Sequence, residues 1–171
     1  CGYNDGTISN CYNTGAVSAG TSYVGGIGGH FGEESIIQNC YNVGTVSCTG
    51  TGATAYAGGI CGYSIDATVN NCYNAGAVSG YENYTGALFG LFSTRYGSEM
   101  KNCYYLDTCV GEGIKGIAKK GAETNYDAEG ESTKLTAAQF KTASNFTSWD
   151  FTNVWVISTY TNRPVLAGNR E

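Results

Sequence analysis

The chain has 171 residues, a net charge of −5 at pH 7 and only nine lysines and arginines. So few basic residues argue against binding to nucleic-acid phosphates or to an anionic membrane surface, because both need clustered positive charge. No apolar run approaches the roughly 18 residues of a membrane-spanning helix. With 26 glycines and one proline, the composition suits closely stacked strands and turns.

A short sequence recurs along the first two thirds of the chain. Asn-Cys-Tyr-Asn occurs at 10–13, 39–42 and 71–74 and returns as Asn-Cys-Tyr-Tyr at 102–105, in steps of 29, 32 and 31 residues. Such a period is typical of one structural unit stacked on copies of itself, which forms an elongated surface. Cys1-Gly2-Tyr3 aligns with Cys61-Gly62-Tyr63 in the middle of a repeat. We therefore expect the chain to begin inside a coil of a longer protein.

Each repeat has apolar residues at fixed distances from its cysteine, with mostly polar residues between them. These columns are Ile8, Ile37, Val69 and Met100; Val17, Val46 and Val78; Tyr23, Tyr56 and Tyr84; and Ile27, Ile60 and Leu88. The short apolar runs are separated by Asn, Gly and Thr, which indicates strands joined by turns. We predict an all-β fold, a right-handed parallel β-solenoid over residues 1–109 with about 30 residues per coil.

Repeated polar and aromatic residues are expected to form rows along the solenoid, because successive coils lie about 4.8 Å apart. We predict a structural ladder of Asn10, Asn39, Asn71 and Asn102 at one bend, a second of Asn13, Asn42 and Asn74, and a stack of Tyr12, Tyr41, Tyr73 and Tyr104. Two alternatives are open. The rows hold the coils together inside the solenoid, or they are exposed and stack on sugars or on a protein partner.

Eight cysteines suggest a disulfide framework, but their placement argues against one. Cys11, Cys40, Cys72 and Cys103 fall in a single column of the structural ladder. The coil spacing slightly exceeds the Cβ separation that a disulfide requires, so we predict buried thiols that act as small apolar side chains. A disulfide between Cys103 and Cys109 is the alternative, and the sequence leaves the state of Cys48 open. No Cys-x-x-Cys pair or Cys/His cluster is present, which argues against a metal site.

From about residue 110 the repeat period is lost. We predict a long loop from Val110 to Gly130, then a small α+β cap packed on the solenoid end, so that residues 110–171 form the second unit. Thr136 and Gln139 have the spacing of a capping box, which predicts a short helix over about 137–143. The aromatic cluster around Trp149 and Trp155 is expected to cover the last coil. Alternatively, these two tryptophans form a carbohydrate platform.

The pattern resembles the GLUG motif, a glycine-rich repeat of large bacterial surface proteins that include adhesins and the regions flanking the catalytic domain of IgA-specific metallopeptidases. The matching residues are Gly26-Ile27-Gly28-Gly29 and Gly59-Ile60-Cys61-Gly62, each followed by an Asn-Cys-Tyr-Asn unit, whereas Ala87-Leu88-Phe89-Gly90 departs at its first position. The resemblance covers residues 1–109. It implies an extracellular, cell-envelope location and an adhesive or spacer role, and it supplies no catalytic residues.

We predict that the chain is not an enzyme and needs no cofactor. Its one histidine, His30, has no nucleophile motif nearby and is expected on the surface or in a turn. His-Glu-x-x-His is absent. Some parallel β-helices cleave polysaccharides, which requires acidic residues to converge in a groove. The acids to locate are Glu33, Glu34, Asp66, Glu82 and Glu99.

The leading functional hypothesis is a non-catalytic fragment of a secreted or cell-surface bacterial protein, a monomeric part of a longer chain that contacts host glycans or proteins. The predicted binding residues are Tyr63, Tyr81, Tyr84 and Tyr96. The alternative is a structural stalk, and a polysaccharide-degrading enzyme is the third. An adhesive surface should group exposed aromatic residues on one side, whereas a stalk should not.

Overall fold

The computed structural model describes residues 1–20, 22–50, 52, 54–93, 97–120, 123–127 and 131–169. Coil 1 contains β1 (Tyr3–Asn4), β2 (Thr7–Ser9), β3 (Tyr12–Asn13), β4 (Val17–Ala19) and β5 (Val24–Gly25). Coil 2 contains β6 (Gly28–Phe31), β7 (Ile36–Gln38), β8 (Tyr41–Asn42), β9 (Val46–Cys48) and β10 (Ala57–Gly58). Coil 3 contains β11 (Cys61–Ser64), β12 (Thr68–Asn70), β13 (Tyr73–Asn74), β14 (Val78–Ser79), the 3-10 helix Glu82–Tyr84 and β15 (Thr85–Gly86).

Coil 4 and the C-terminal segment complete the chain. Coil 4 contains β16 (Phe89–Phe92), β17 (Glu99–Lys101) and β18 (Cys103–Leu106). After it come β19 (Ile117–Lys120), β20 (Glu123–Tyr126), β21 (Ser132–Leu135), the 3-10 helices Gln139–Lys141 and Ala143–Asn145, and the hairpin strands β22 (Trp155–Ile157) and β23 (Pro164–Leu166). In the described part of the chain, no helix has the length and apolar character needed to cross a bilayer.

The strands stack into five sheets that run along the molecule. Sheet 1 has the order β1-β6-β11-β16-β19-β20, sheet 2 β2-β7-β12-β17, sheet 3 β3-β8-β13-β18-β21, sheet 4 β4-β9-β14, and sheet 5 β5-β10-β15. All pairs between coils are parallel and in register, as for Tyr12, Tyr41 and Tyr73 of sheet 3. The predicted all-β parallel solenoid is therefore confirmed, with about four turns. Its right-handed sense stays a prediction.

The interior of the solenoid is filled by the predicted aliphatic columns, whereas the column of Tyr23, Tyr56 and Tyr84 does not belong to the core. Ile37, Val69 and Met100 stack between sheets, and Ile60 and Leu88 pack beside them with at most 3% of each side chain exposed. Buried cysteines share this interior. Fully buried Val or Leu side chains each contribute about 1.5–3 kcal/mol, so repetition of these columns supplies most of the stabilisation.

The first asparagine of each repeat occupies a left-handed backbone conformation. The φ angles of Asn10, Asn39, Asn71 and Asn102 lie between 52° and 54°. Asn tolerates this region better than other residues with a Cβ because its short side chain bonds locally. The predicted ladder at a bend is thus a stacked turn, in which only the Asn71 Nδ2 donor approaches the Asn39 Oδ1, at 3.4 Å.

The second asparagine row is a continuous hydrogen-bonded ladder. Asn13 Nδ2 donates to Asn42 Oδ1 at 2.7 Å, and Asn42 Nδ2 donates to Asn74 Oδ1 at 2.8 Å. Each amide also bonds the carbonyl two residues ahead. Asn42 and Asn74 are fully buried, and a Cβ on Gly26 or Gly59 would overlap their side-chain amides. The glycine that opens each Gly-Ile unit therefore makes room for this ladder.

The cysteines are all free thiols, and six of the eight are buried. The alternative disulfide between Cys103 and Cys109 is not formed. The Cys103 Sγ instead lies 3.4 Å from the Lys101 carbonyl oxygen, and the Cys109 carbonyl accepts a hydrogen bond from the Val78 amide. Burial raises the pKa of Cys109 to about 12, so this thiol stays protonated and packs as an apolar group. Cys11, at the end of its column, is exposed.

The stack continues beyond residue 109. The expected loop from Val110 to Gly130 was wrong over Ile117–Lys120 and Glu123–Tyr126, because β19 pairs in parallel with β16 and β20 turns back on it in antiparallel register. β21 then pairs in parallel with β18. Asp127 joins these pieces by accepting hydrogen bonds from Tyr105 Oη, the Gly116 amide and Ser132 Oγ. Backbone hydrogen bonding to coil 4 thus forms a strand here, although the sequence of this stretch has no apolar face.

Within the C-terminal segment, β19 and β21 stack on coil 4, whereas the residues after β21 pack along the side of the solenoid. The aromatic cluster of these later residues covers the tyrosines of sheet 3: Trp155 contacts Tyr41 and Tyr73, and Trp149 contacts Tyr73 and Tyr104. Tyr73 Oη donates to the Pro164 carbonyl oxygen at 2.6 Å. The tyrosine row therefore lies outside the coils yet is largely hidden by its own chain. Trp149 and Trp155 are 7% and 1% exposed, so they cannot form a surface platform.

The predicted helix over 137–143 was wrong, although the capping box itself forms. The Thr136 amide donates to Gln139 Oε1 at 2.9 Å, and the Gln139 amide donates to Thr136 Oγ1 at 3.3 Å. Two short 3-10 turns follow it, because Thr142 is extended. The break lets Phe140 and Phe146 both enter the cluster over the tyrosine row.

We predict that Asn42→Ala lowers the free energy of unfolding by about 2–3 kcal/mol, because it removes a buried amide that bonds Asn13, Asn74 and the buried Gly44 carbonyl. Urea unfolding followed by circular dichroism measures the change. Asn13→Ala is the matched control and should cost about 1 kcal/mol, since Asn13 is only half-buried. Equal losses in the two variants would contradict the ladder's role.

Tyr73→Phe should lower the free energy of unfolding by about 1–2 kcal/mol, because it removes the donor to a buried Pro164 carbonyl and keeps the ring. Burial raises the pKa of Tyr73 well above its usual range, so the hydroxyl donates at any working pH. Limited proteolysis should cut the C-terminal segment faster in this variant. Tyr12→Phe, at the exposed end of the row, should leave both measurements unchanged.

Candidate functional site

Sheet 1 presents an outward column that begins with aromatic residues. Register pairs Tyr3 with His30 and His30 with Tyr63, and continues through Leu91 to Lys119. Tyr3 and Tyr63 each meet the His30 ring edge to face, with centroids 4.8 and 5.0 Å apart. Alternation along β1, β6 and β11 turns these side chains away from the solenoid interior.

A second column lies beside the first, just before the strands of sheet 5. Tyr23 stacks on Tyr63 at 4.5 Å, Tyr56 contacts Tyr63 at 5.7 Å, and Tyr84 contacts Tyr56 at 5.0 Å. Tyr81 extends the column by stacking on Tyr84 at 5.7 Å. We call the seven residues Tyr3, Tyr23, His30, Tyr56, Tyr63, Tyr81 and Tyr84 the tyrosine band.

Glycines of sheet 1 allow the two columns to approach. A Cβ on Gly29 would lie 2.9 Å from the Tyr23 carbonyl oxygen, one on Gly62 would lie 2.8 Å from that of Tyr56, and one on Gly90 would lie 2.7 Å from the Tyr56 Cβ. These separations are far shorter than van der Waals contact. The last glycine of each Gly-rich unit thus positions the band.

The band is most exposed at its two ends. Tyr3 and Tyr81 are 58% and 43% exposed, whereas Tyr23, Tyr63 and Tyr84 are half-buried and Tyr56 is buried. Adjacent aromatic rings hold one another in place. The result is a rigid aromatic surface, the kind of patch on which sugars or aromatic side chains of a partner stack.

The two ends of the band carry opposite charge. Lys119 Nζ lies 4.3 Å from the centre of the Tyr84 ring, a cation–π contact. At the other end a shallow cleft is lined by Tyr3, Asp5, His30 and Glu33, and Asp5 accepts a hydrogen bond from Tyr3 that raises the pKa of that tyrosine. A ligand lying along the band would therefore meet a positive group at one end and negative groups at the other.

His30 lies on β6 inside the band, not in a turn. Burial among the rings lowers the pKa of His30 below its usual value, and the Asp5 carboxylate opposes that shift. Its Nε2 atom is buried and has no hydrogen-bond partner among the described residues. A neutral imidazole is therefore the stable form at neutral pH.

The structure brings together three of the four predicted binding residues, Tyr63, Tyr81 and Tyr84. The fourth, Tyr96, lies outside the described residues. Sequence reasoning missed Tyr3, Tyr23, Tyr56, His30 and Lys119 as members of the same surface. The alignment of Cys1-Gly2-Tyr3 with Cys61-Gly62-Tyr63 held the signal for the outward column, but it did not show which column lay next to it.

Two of the five acids to be located, Glu33 and Glu34, line the cleft at the Tyr3 end of the band together with Asp5, whereas the other three lie outside it. Glu34 and Asp66 occupy equivalent turns of successive coils, where the Glu34 amide donates to the Asp66 carbonyl oxygen at 2.9 Å. Glu82 begins the short 3-10 helix before sheet 5, and Glu99 pairs with Lys101 on sheet 2. Among the described residues, no group of three or more His, Cys, Asp or Glu side chains is placed to hold a metal ion.

Comparison with known proteins shows a shared fold. No family model matches the chain, and no curated protein matches it. The crystal structure of a putative immunoglobulin A1 protease from Bacteroides ovatus matches with a TM-score of 0.59 and 22% sequence identity. The match covers 97% of this chain and 62% of that protein, so the chain spans about three fifths of its length. The likeness agrees with the expected resemblance in fold, whereas the GLUG motif stays a prediction.

We predict that His30, the one histidine of the chain, titrates below pH 6.5 in an NMR experiment. Because the folded pKa lies below the unfolded value, the unfolded chain binds the proton more readily, so stability falls as the pH drops below about 6.5. Asp5→Asn should lower the pKa of His30 further. A histidine pKa at or above 6.5 would contradict this arrangement.

Proposed function

We propose that the chain is a non-catalytic repeat module of a secreted or cell-surface bacterial protein and that it makes adhesive contact with host glycans or proteins. The observation that carries the proposal is the tyrosine band. It groups seven ring side chains on one side of the solenoid, with Tyr3 and Tyr81 exposed at its ends.

Glycans are the ligands that the band suits best. The flat, weakly polar faces of sugar rings stack on the apolar faces of aromatic side chains. Hydroxyl groups of a chain laid along the band would reach Lys119 at one end and Asp5 or Glu33 at the other. Multiple shallow contacts of this kind give weak single-site affinity and stronger binding when copies are displayed together.

The structural stalk is the second candidate. A spacer needs only the stacked core, the asparagine ladder and the covered tyrosine row, all of which lie away from the band. Grouping of the aromatic residues on one side favours the adhesive hypothesis, because a spacer does not need partly exposed aromatic residues gathered on one surface. The third candidate, a polysaccharide-degrading enzyme, needs acids in one groove. Asp5, Glu33 and Glu34 share the shallow cleft at the Tyr3 end of the band, whereas Asp66, Glu82 and Glu99 lie outside it.

The test is a binding screen of the purified chain against arrays of glycans, mucins and host surface proteins. We expect saturable binding to at least one ligand class, weakened about tenfold or more in the Tyr81→Ala, Tyr84→Ala double variant because two stacking rings are lost. Tyr160→Ala is the matched control, since Tyr160 is 81% exposed and outside the band.

Three results are informative. Loss of binding in the double variant with retention in the Tyr160 variant supports adhesion through the band. Binding that survives the double variant places the contact elsewhere on the surface. The absence of binding to every class would favour the stalk.

A further inference from the structure

Acidic and basic residues are distributed unevenly along the chain. Residues 1–94 contain no lysine or arginine, and all nine of these basic residues come later. The same stretch contains five acidic residues, Asp5, Glu33, Glu34, Asp66 and Glu82. Coils 1, 2 and 3 are therefore acidic. A negatively charged ligand on the tyrosine band can meet a basic side chain only where coil 4 and the C-terminal segment adjoin the band.

Lys119 lies at that junction. It stands on β19 in the outward column of sheet 1, in register with Leu91, and its Nζ atom lies 4.3 Å from the centre of the Tyr84 ring. Among the side chains that the structure describes, no carboxylate lies within ion-pair distance of Lys119. The next residue differs, because Lys120 forms an ion pair with Glu131. The charge of Lys119 is thus available to a ligand.

The two tyrosines beside Lys119 are held in a fixed arrangement. Tyr81 stacks on Tyr84 with ring centres 5.7 Å apart and an interplanar angle of 22°. The Tyr81 carbonyl accepts hydrogen bonds from the Tyr84 amide and from Thr85 Oγ1, both at 2.9 Å. The 3-10 turn that carries these residues lies next to β19. Strand and turn together therefore place two aromatic rings and one ammonium group side by side.

Solvent screening separates Lys119 from the acidic end of the band. Four strand spacings lie between Tyr3 and Lys119, so the cleft of Asp5 and Glu33 is about 19 Å away. Exposed charges are largely screened beyond about 8 Å at physiological ionic strength. Glu82, on the same turn as Tyr84, is closer but exposed, whereas Lys119 is half-buried. Partly buried charges are screened less than exposed ones, so Lys119 keeps its attraction for an anion.

We propose that this end of the band binds an acidic sugar, whose ring stacks on the Tyr81–Tyr84 pair and whose carboxylate or sulfate group pairs with the Lys119 ammonium. The inference rests on the proposed adhesive function and adds the class of glycan. An ammonium is a compact point charge that pairs with either anion without a fixed geometry. Because the acids at the Tyr3 end repel such a group, the acidic unit of a glycan lies at Lys119 and neutral units extend along the band.

The test measures the binding of three hexasaccharides to the chain by isothermal titration calorimetry. These are unsulfated chondroitin, its carboxyl methyl ester and 6-sulfated chondroitin. The first two have the same sugar rings and differ only in charge. We expect the acid to bind at least fivefold more tightly than the ester, because only the acid pairs with Lys119. Raising the salt concentration from about 0.05 to 0.5 M should weaken binding of the acid and leave that of the ester unchanged.

Variants of the chain assign the charge contact to one residue. Lys119→Met should remove the preference for the acids and bind the ester as the unaltered chain does, since the rings remain. Lys119→Arg keeps the charge and should keep the preference. Glu82→Gln removes the acid on the tyrosine turn and should strengthen binding of the acids. Lys141→Met is the matched control for net charge, because Lys141 is exposed on the C-terminal segment outside the band.

Dependence on Lys119 for either acid supports the proposal, and the acid that shows it identifies the anion. Equal binding of acid and ester, or an unchanged preference in Lys119→Met, overturns the proposal and leaves adhesion to neutral glycans intact. An equal loss in Lys141→Met would reveal an effect of net charge alone and overturn it as well. Failure of all three hexasaccharides alongside binding of neutral glycans on the array would do the same, whereas the absence of every glycan contact removes the adhesive function itself.

Discussion

In-register stacking of parallel coils is the constraint on which the rest of this structure depends. It fixes a separation of about 4.8 Å between equivalent residues, so any side chain that recurs must be able to lie against a copy of itself. Tyrosine satisfies this by ring stacking, asparagine by a donor–acceptor chain, and cysteine by its small size. Charged side chains do not, which accounts for a chain in which 13% of residues are charged. The low charge of this chain is therefore a consequence of its geometry.

The same constraint sorts the glycines into two roles. Gly26 and Gly59 leave space for the buried asparagine amides, whereas Gly29, Gly62 and Gly90 let the two columns of the tyrosine band approach. Ala87 stands where the other repeats have Gly26 and Gly59. In that coil the next residue of the ladder after Asn74 is Tyr105 instead of an asparagine. The loss of the glycine thus coincides with the loss of the asparagine, which indicates that the glycine is needed only where it faces an asparagine. The glycine-rich unit of each repeat therefore makes room both for the buried asparagine ladder and for the tyrosine band.

The sequence predicted what repeats and missed what occurs once. Recurring cysteines, apolar columns and asparagines were enough to predict the parallel solenoid and its core, because in a stack the spacing along the chain determines position in space. The position of the C-terminal segment could not be predicted in this way. Trp149 and Trp155 do not recur along the chain, so their spacing gives no information about which surface they cover. β19 was missed because pairing with β16 stabilises it more than its own pattern does. The tyrosine band was not predicted in full for a similar reason. The sequence showed each column of residues, but whether two columns lie side by side depends on how the coil bends.

The C-terminal segment also changes how the molecule should fold. A simple stack of repeats has only contacts between neighbouring coils, so its ends can fray without disturbing the middle. Here Tyr73 bonds a carbonyl 91 residues away, and the same segment touches coils 2, 3 and 4. Its docking surface exists only when those coils are already stacked, which makes it a late step with high contact order. Once docked, it ties three coils into one cooperative unit, so that the array behaves like a globular domain rather than a chain of independent turns.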